Sequence, residues 1–194
     1  MRKVLWSILE MLETIAIAVA AVILVRTFVA QPFLVSGSSM IPTFQNGDYL
    51  LVDELTYHFR APERGEVIVL KYPKDPSEYF IKRVIGLPGE TVIIQSGHVT
   101  VVDQGKKIVL NEPYIDQPMV AQSFTETLGP NEYFVMGDNR NYSYDSRSWG
   151  PVPSSDIVGV VRLRLWPIQT AEAFGAPSYG TSSTIVASST AAAQ

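Results

Sequence analysis

The sequence has no cysteine, which excludes disulfides, thiolate nucleophiles and cysteine metal sites. It leaves the compartment open, because exported proteins also do without this residue. Histidine is nearly absent. His58 and His98 show no H-x-x-x-H or H-E-x-x-H spacing, so they do not make a zinc site and read as ordinary structural side chains. Tyr57-His58-Phe59 is expected to be partly buried, and His98 to sit beside a Ser96-Gly97 turn. Charge is sparse too. A net charge of -4 over 194 residues gives no basic footprint for nucleic acid. The sequence has no internal repeat, and no long amphipathic helix is evident outside the N-terminal segment.

Long hydrophobic runs reduce to one, Ile15 to Val25. At a rise of 1.5 Å per residue this run reaches about 16 Å, against a hydrocarbon core of about 30 Å. Extending it from Met11 or Leu12 to Ala30 closes the gap. The longer segment takes in Glu13 and Arg26 near its ends, where long side chains can snorkel to the interface. Three readings stand. An uncleaved anchor fits the length. A cleaved signal peptide fits Arg2-Lys3 ahead of the run, yet there is no convincing small-x-small site between Arg26 and Pro32. A buried helix fits an all-round apolar surface. The anchor is preferred, with Arg2 and Lys3 cytoplasmic. The expected organisation is a cytoplasmic N-terminus (1–11), a single-pass anchor in the plasma membrane (12–30), an extracytoplasmic domain (31–168) and a disordered low-complexity tail (169–194).

After the anchor the pattern is that of short strands. Tyr49–Val52, Val67–Leu70, Phe80–Ile85, Thr91–Ile94, Val99–Val102, Lys107–Leu110, Tyr133–Met136 and Ile157–Leu165 are rich in β-branched or aromatic residues. Val161 to Leu165 alternates, which predicts one wet face. Prolines and glycines punctuate the chain at short intervals. The expectation is a mostly-β, barrel-like domain with a small annex near 95–130.

Three polar or mixed segments stand out in this order: Ser36-Gly37-Ser38-Ser39-Met40-Ile41-Pro42-Thr43, then Phe80 to Gly89 around Lys82-Arg83, then Gly137 to Arg147. Together with the apolar segment before them they resemble the type I signal peptidases, membrane-bound serine proteases that use lysine as the base. The resemblance covers about Glu13 to Trp166. It implies a coiled antiparallel β-sheet as the catalytic fold, exported preproteins and the lipid bilayer as partners, and no cofactor or metal.

By the Ser-Met-x-Pro pattern the resemblance selects Ser39 as nucleophile from three neighbouring serines. It gives Lys82 as the base, a recognised variant of triad logic. Lysine serves only when neutral, and lowering its pKa from about 10.4 to about 8 takes roughly 3 kcal/mol of disfavour toward the charged form. Burial can supply this. In an extended strand Phe80, Lys82 and Val84 share one face, while Arg83 points to the other. Gly37 matches the glycine-bearing members, which implies an oxyanion hole made of main-chain N–H groups, chiefly that of Ser39. The third segment implies that Ser143 hydrogen-bonds the Lys82 amine, that Asp145 and Arg147 form an ion pair, and that Asp138 supports the site from behind. Phe33, Val35, Met40, Phe80 and Ile81 are the implied lining of shallow pockets for small substrate side chains. Two alternatives stand beside this reading: a self-cleaving repressor-like Ser-Lys protease and a non-catalytic anchored β module.

Overall fold

The structure is a computed structural model that describes residues 2–28, 30–177 and 179; inside the N-terminal helix the side chains at 2–5, 9 and 21–28 lie outside the description, as does that of Ala30. Helix α1 (Arg2–Phe28) has 27 residues. Its described side chains from Trp6 to Ala20 are exposed, the apolar Ile15, Ile17 and Val19 among them. Among the described residues no helix is long and apolar enough to cross a membrane. The second half of the predicted anchor, from Ala21 to Ala30, has its side chains outside the described residues.

The rest is mostly β. The strands are β1 (Ala30–Leu34), β2 (Tyr49–Asp53), β3 (Val67–Tyr72), β4 (Asp75–Gly86), β5 (Thr91–Gln95), β6 (His98–Asp103), β7 (Lys106–Val109), β8 (Phe124–Thr127), β9 (Glu132–Met136), β10 (Val152–Pro153), β11 (Ile157–Trp166) and β12 (Glu172–Ala173). The main sheet runs β1-β2-β11-β3-β4-β9-β10, with β12 added on β11. This path is open, with β1 and β10 as its ends. All its pairings are antiparallel.

β3 shows why the middle of this sheet is stable. Val67-Ile68-Val69-Leu70 is buried throughout, as a strand covered on both faces must be. Val67 and Val69 join Met40, Phe44, Leu50 and Val52 on one side. Ile68 and Leu70 join Val84, Val135 and Trp149 on the other. Each such side chain contributes about 1.5–3 kcal/mol on burial.

The annex is a separate four-stranded sheet, β7-β6-β5-β8, inserted between β4 and β9. The predicted Ser96-Gly97 turn closes β5 on β6, pairing Gln95 with His98. Both turn residues have positive φ, 51° and 80°, which the two-residue turn of type I′ requires. Val92, Ile94, Val99 and Val101 of the annex pack on Ile85, Phe134 and Met136 of the main sheet.

Three expectations change. His58 is exposed instead of partly buried, because a 3₁₀ turn at Thr56–His58 carries it outward. In β11 the wet face carries the leucines, not the arginines. Leu163 and Leu165 are exposed, whereas Arg162 is drawn to Asp53 and Arg164 to Thr43 O and Asp48. The ordered domain also extends past residue 168. β12 pairs with β11, Phe174 N–H donates to Arg162 O at 2.8 Å, and the Phe174 ring lies 4.5 Å from that of Phe44. Residue 178 and residues 180–194 of the predicted tail lie outside the described residues.

Candidate active site

The loop between β1 and β2 presents Ser39. Its neck is closed by Val35 N–H to Asp48 O and Gly47 N–H to Val35 O, both 2.9 Å. Gly37, at φ 105°, donates its N–H to Asn46 Oδ1 at 2.9 Å. Phe44 and Met40 are buried under the loop. From the opposite side Asn139 donates its N–H to Ser39 O and its side-chain amide to Ser38 O, each at 3.0 Å. The main chain at Ser39 is therefore held by two segments about 100 residues apart in sequence.

β4 delivers the lysine. Lys82 pairs in register with Ile68 of β3, and it is buried at 4 % exposure. Its Nζ lies 2.9 Å from Ser39 Oγ and donates to Ile81 O at 2.9 Å. Burial pulls its pKa down to about 8, against the opposing charges of Asp145 and Asp138. Those carboxylates would favour the ammonium form, but each is held by an arginine.

Asp138 takes Arg83 Nε at 2.8 Å and Arg83 Nη2 at 2.6 Å. It also accepts from Thr43 Oγ1 at 2.6 Å, which ties it to the loop that carries Ser39. The Arg83 guanidinium lies 3.9 Å from the centre of the Tyr114 ring. Asp145 takes Arg147 Nε at 2.8 Å and Nη2 at 2.7 Å, and Gly137 N–H at 3.0 Å. It also caps the short helix α2 (Ser146–Trp149).

Ser143 departs from expectation. Its buried hydroxyl has no hydrogen-bond partner among the described residues, and the bonds of Lys82 go to Ser39 and Ile81 instead. Gly137 separates Ser143 from the Ser39 main chain so closely that a Cβ at 137 would overlap Ser143 Oγ and Ser39 O and sit 2.6 Å from Ser143 Cβ. The strand leading out of β9 can pass between the two serines only as glycine.

A cavity of about 330 Å³ opens in front of the Ser39–Lys82 contact, lined by Phe33, Val35, Gly37, Ser39, Phe80 and Ile81, with Tyr79, Tyr142 and Tyr144 at the side. Its volume is that of a small-ligand cleft. Met40 was named for this lining, but it is 1 % exposed and packs in the core with Phe44 and Leu50. Its side chain points under the loop because Ser39 points over it. Sequence reasoning missed the three tyrosines. Tyr142-Ser143-Tyr144 carried the signal, since alternation around an inward serine turns both neighbours outward. It also missed Leu50 and Val69, which the strand pattern marked only as core.

Residues 8–166 match the family model described as signal peptidase, peptidase S26. The chain belongs to this family. Among its relatives, a signal peptidase I of Leptolyngbya laminosa is 40 % identical over 88 % of this chain and 85 % of the relative. Signal peptidase I P of Bacillus subtilis subsp. natto is 36 % identical over 84 % and 91 %. Thylakoidal processing peptidase 1, chloroplastic, of Arabidopsis thaliana is 35 % identical over 77 % of this chain and 46 % of its own length. Signal peptidases remove signal peptides from preproteins, and the chain is accordingly a serine peptidase of family S26. The repressor-like and non-catalytic alternatives lose their ground with this match.

Proposed function

We propose that the chain cleaves signal peptides from exported preproteins through a Ser39–Lys82 dyad. The observation that carries this reading is the 2.9 Å approach of Nζ to Oγ at the floor of an apolar cavity. Ser39 Oγ attacks the scissile carbonyl while neutral Lys82 takes the hydroxyl proton. The oxyanion is met by main-chain N–H groups of the loop, chiefly that of Ser39; one such donor is worth about 2.7–4 kcal/mol in the transition state. The resulting Lys82 ammonium protonates the leaving amine, and the acyl-enzyme remains. Lys82 then deprotonates a water, which attacks the ester and frees Ser39. Asp138 with Arg83, and Asp145 with Arg147, fix the frame around the pair. Phe33, Val35, Phe80 and Ile81 make shallow walls that admit small side chains, such as alanine one and three places before the cut.

The pH profile tests the dyad. Only the neutral amine is active, so kcat/KM for a preprotein should rise about tenfold per pH unit below the midpoint and level off above about 8. A rate flat from pH 6 to 10 rules Lys82 out as the base. In the same assay, leucine in place of alanine one residue before the cut should block cleavage.

The proposed site sits at a membrane surface, on an anchor running from residue 12 to 30 with the N-terminus cytoplasmic. The support is the apolar run itself and the exposure of Ile15, Ile17 and Val19 on α1. Anchoring raises the effective concentration of a membrane-borne substrate without any new contact. The chain should stay with the membrane pellet after an alkaline carbonate wash. Its release into the supernatant would sink the anchor.

A further inference from the structure

Behind the site, on the side away from the cavity, the chain past β12 crosses the groups that hold the dyad. Its first landing is the nucleophile loop. Phe174 packs at a tilt against Phe44, ring centres 4.5 Å apart, and Phe44 N–H donates to Met40 O, one residue beyond Ser39. Arg164 lies over both rings, at 5.9 Å and 5.4 Å, and donates to Thr43 O at 2.9 Å and to Glu172 at 3.1 Å. The second landing is the Arg83–Asp138 pair. Gly65 gives its carbonyl to Arg83 Nη1 at 2.8 Å. The opposite side of Gly65 is covered by Pro177 and Tyr179, which would sit 2.7 Å and 2.8 Å from a Cβ there. The Tyr179 hydroxyl lies 3.0 Å from that of Tyr114, whose ring underlies the Arg83 guanidinium. Tyr114 also donates to Glu112 at 2.7 Å. Glu112 holds Arg140, and Arg140 Nε donates to Gly137 O at 3.0 Å.

We propose that residues 172–177 with Tyr179 form a strap that positions the dyad, acting on Ser39 through Phe174 and Phe44, and on Lys82 through Tyr179, Tyr114, Arg83 and Asp138. This rests on the Ser39–Lys82 reading above. The strap contacts neither the cavity nor the amine, so its residues are positioning residues. A segment that served only as a lid on the core could land anywhere on the sheet. This one lands on the two segments that meet at the serine and the lysine.

The consequence is directional. The charges acting on the Lys82 amine are Asp138 and Asp145, neutralised by Arg83 and Arg147. Arg83 is in turn faced by Tyr114 and Tyr179, with Glu112 and Arg140 beyond them. Loosening the strap frees Arg83 and admits water, so Asp138 acts on Lys82 with less compensation. The amine then holds its proton to higher pH. The cavity in front is untouched, so substrate binding is unchanged.

The experiment measures kcat and KM for preprotein cleavage from pH 6 to 10 in the detergent-solubilised full chain. The variants are Tyr179→Ala, Tyr179→Phe and Lys82→Met, with the rates of the Tyr179 variants normalised to active sites titrated by a serine-reactive acylating probe and that of Lys82→Met to folded protein. Tyr179→Ala should lower kcat at pH 8 about tenfold, shift the midpoint upward and leave KM within about twofold. Tyr179→Phe keeps the ring over Gly65 but loses the hydroxyl contact with Tyr114, and should fall between the parent and Tyr179→Ala. A Tyr179→Ala enzyme with parental kcat per active site and parental midpoint overturns the strap, including when less of it folds. Cleavage that survives Lys82→Met overturns the dyad reading instead, so the two failures are distinct.

Discussion

Lys82→Met should abolish preprotein cleavage, by at least about 10³-fold, and at the same time make the protein more stable. The two effects have one cause. The amine is held at 4 % exposure with a pKa near 8, against about 10.4 in the unfolded chain. Below pH 8 the native state therefore carries a buried ammonium at a penalty of about 3 kcal/mol. The sign follows from proton counting. Between about pH 8 and 10.4 the unfolded chain binds the proton and the native chain does not, so the parent gains stability as pH rises through this window. Methionine removes the penalty at similar volume. Its advantage should be full at pH 7, worth about 6–12 °C in melting temperature, and should vanish near pH 11. Melting curves at the two pH values in detergent check this. A Lys82→Met variant no more stable than the parent at pH 7 would mean that the native amine is not disfavoured, and neutral-lysine catalysis would lose its basis. Adding Ser39→Ala to Lys82→Met should cost nothing further in rate, because the two side chains act as one unit.

Asp138→Ala should cost about 3–5 kcal/mol, the loss typical of a buried ion pair stripped of one partner. The pair is buried on both sides, with the Arg83 side chain 5 % and the Asp138 side chain 0 % exposed. Removing the carboxylate strands the guanidinium between Gly65 O and the Tyr114 ring and also frees Thr43. Replacing both members with apolar residues, Arg83→Met with Asp138→Leu, should recover part of the stability and none of the activity. Chemical denaturation of the three proteins decides it. A loss below about 1 kcal/mol for Asp138→Ala would show that the pair does not brace the fold around Lys82.

The strand content was legible because β-branched runs between prolines and glycines leave little choice. Val67 to Leu70 and Phe80 to Ile85 appear as read. β1, β8, β10 and β12 were not legible. Ala30–Leu34 contains Pro32 and follows directly on a helix, and the two-residue strands have no pattern to read. The Ser39 and Lys82 segments come together in space, and the Asp145–Arg147 pair forms. Met40 was misjudged for a reason that lies in the backbone. A motif fixes which residues gather, but which of two neighbours faces the cavity depends on backbone direction at a turn. The strap was invisible. Low-complexity sequence argues for disorder, yet two aromatics, Phe174 and Tyr179, suffice to seat it.

The annex has a property that its own contacts do not reveal. It departs after Gly86 and returns at Glu132, and Gly86 and Phe134 face each other across β4 and β9. Both ends thus meet at a single doorway. Closing a longer or shorter excursion there costs only about 0.6 kcal/mol per doubling of its length, and the register that sets Lys82 opposite Ile68 is indifferent to it. Signal peptidases of unequal size can therefore share one cutting edge, so long as the excursion still returns Tyr114 to Arg83 and Glu112 to Arg140.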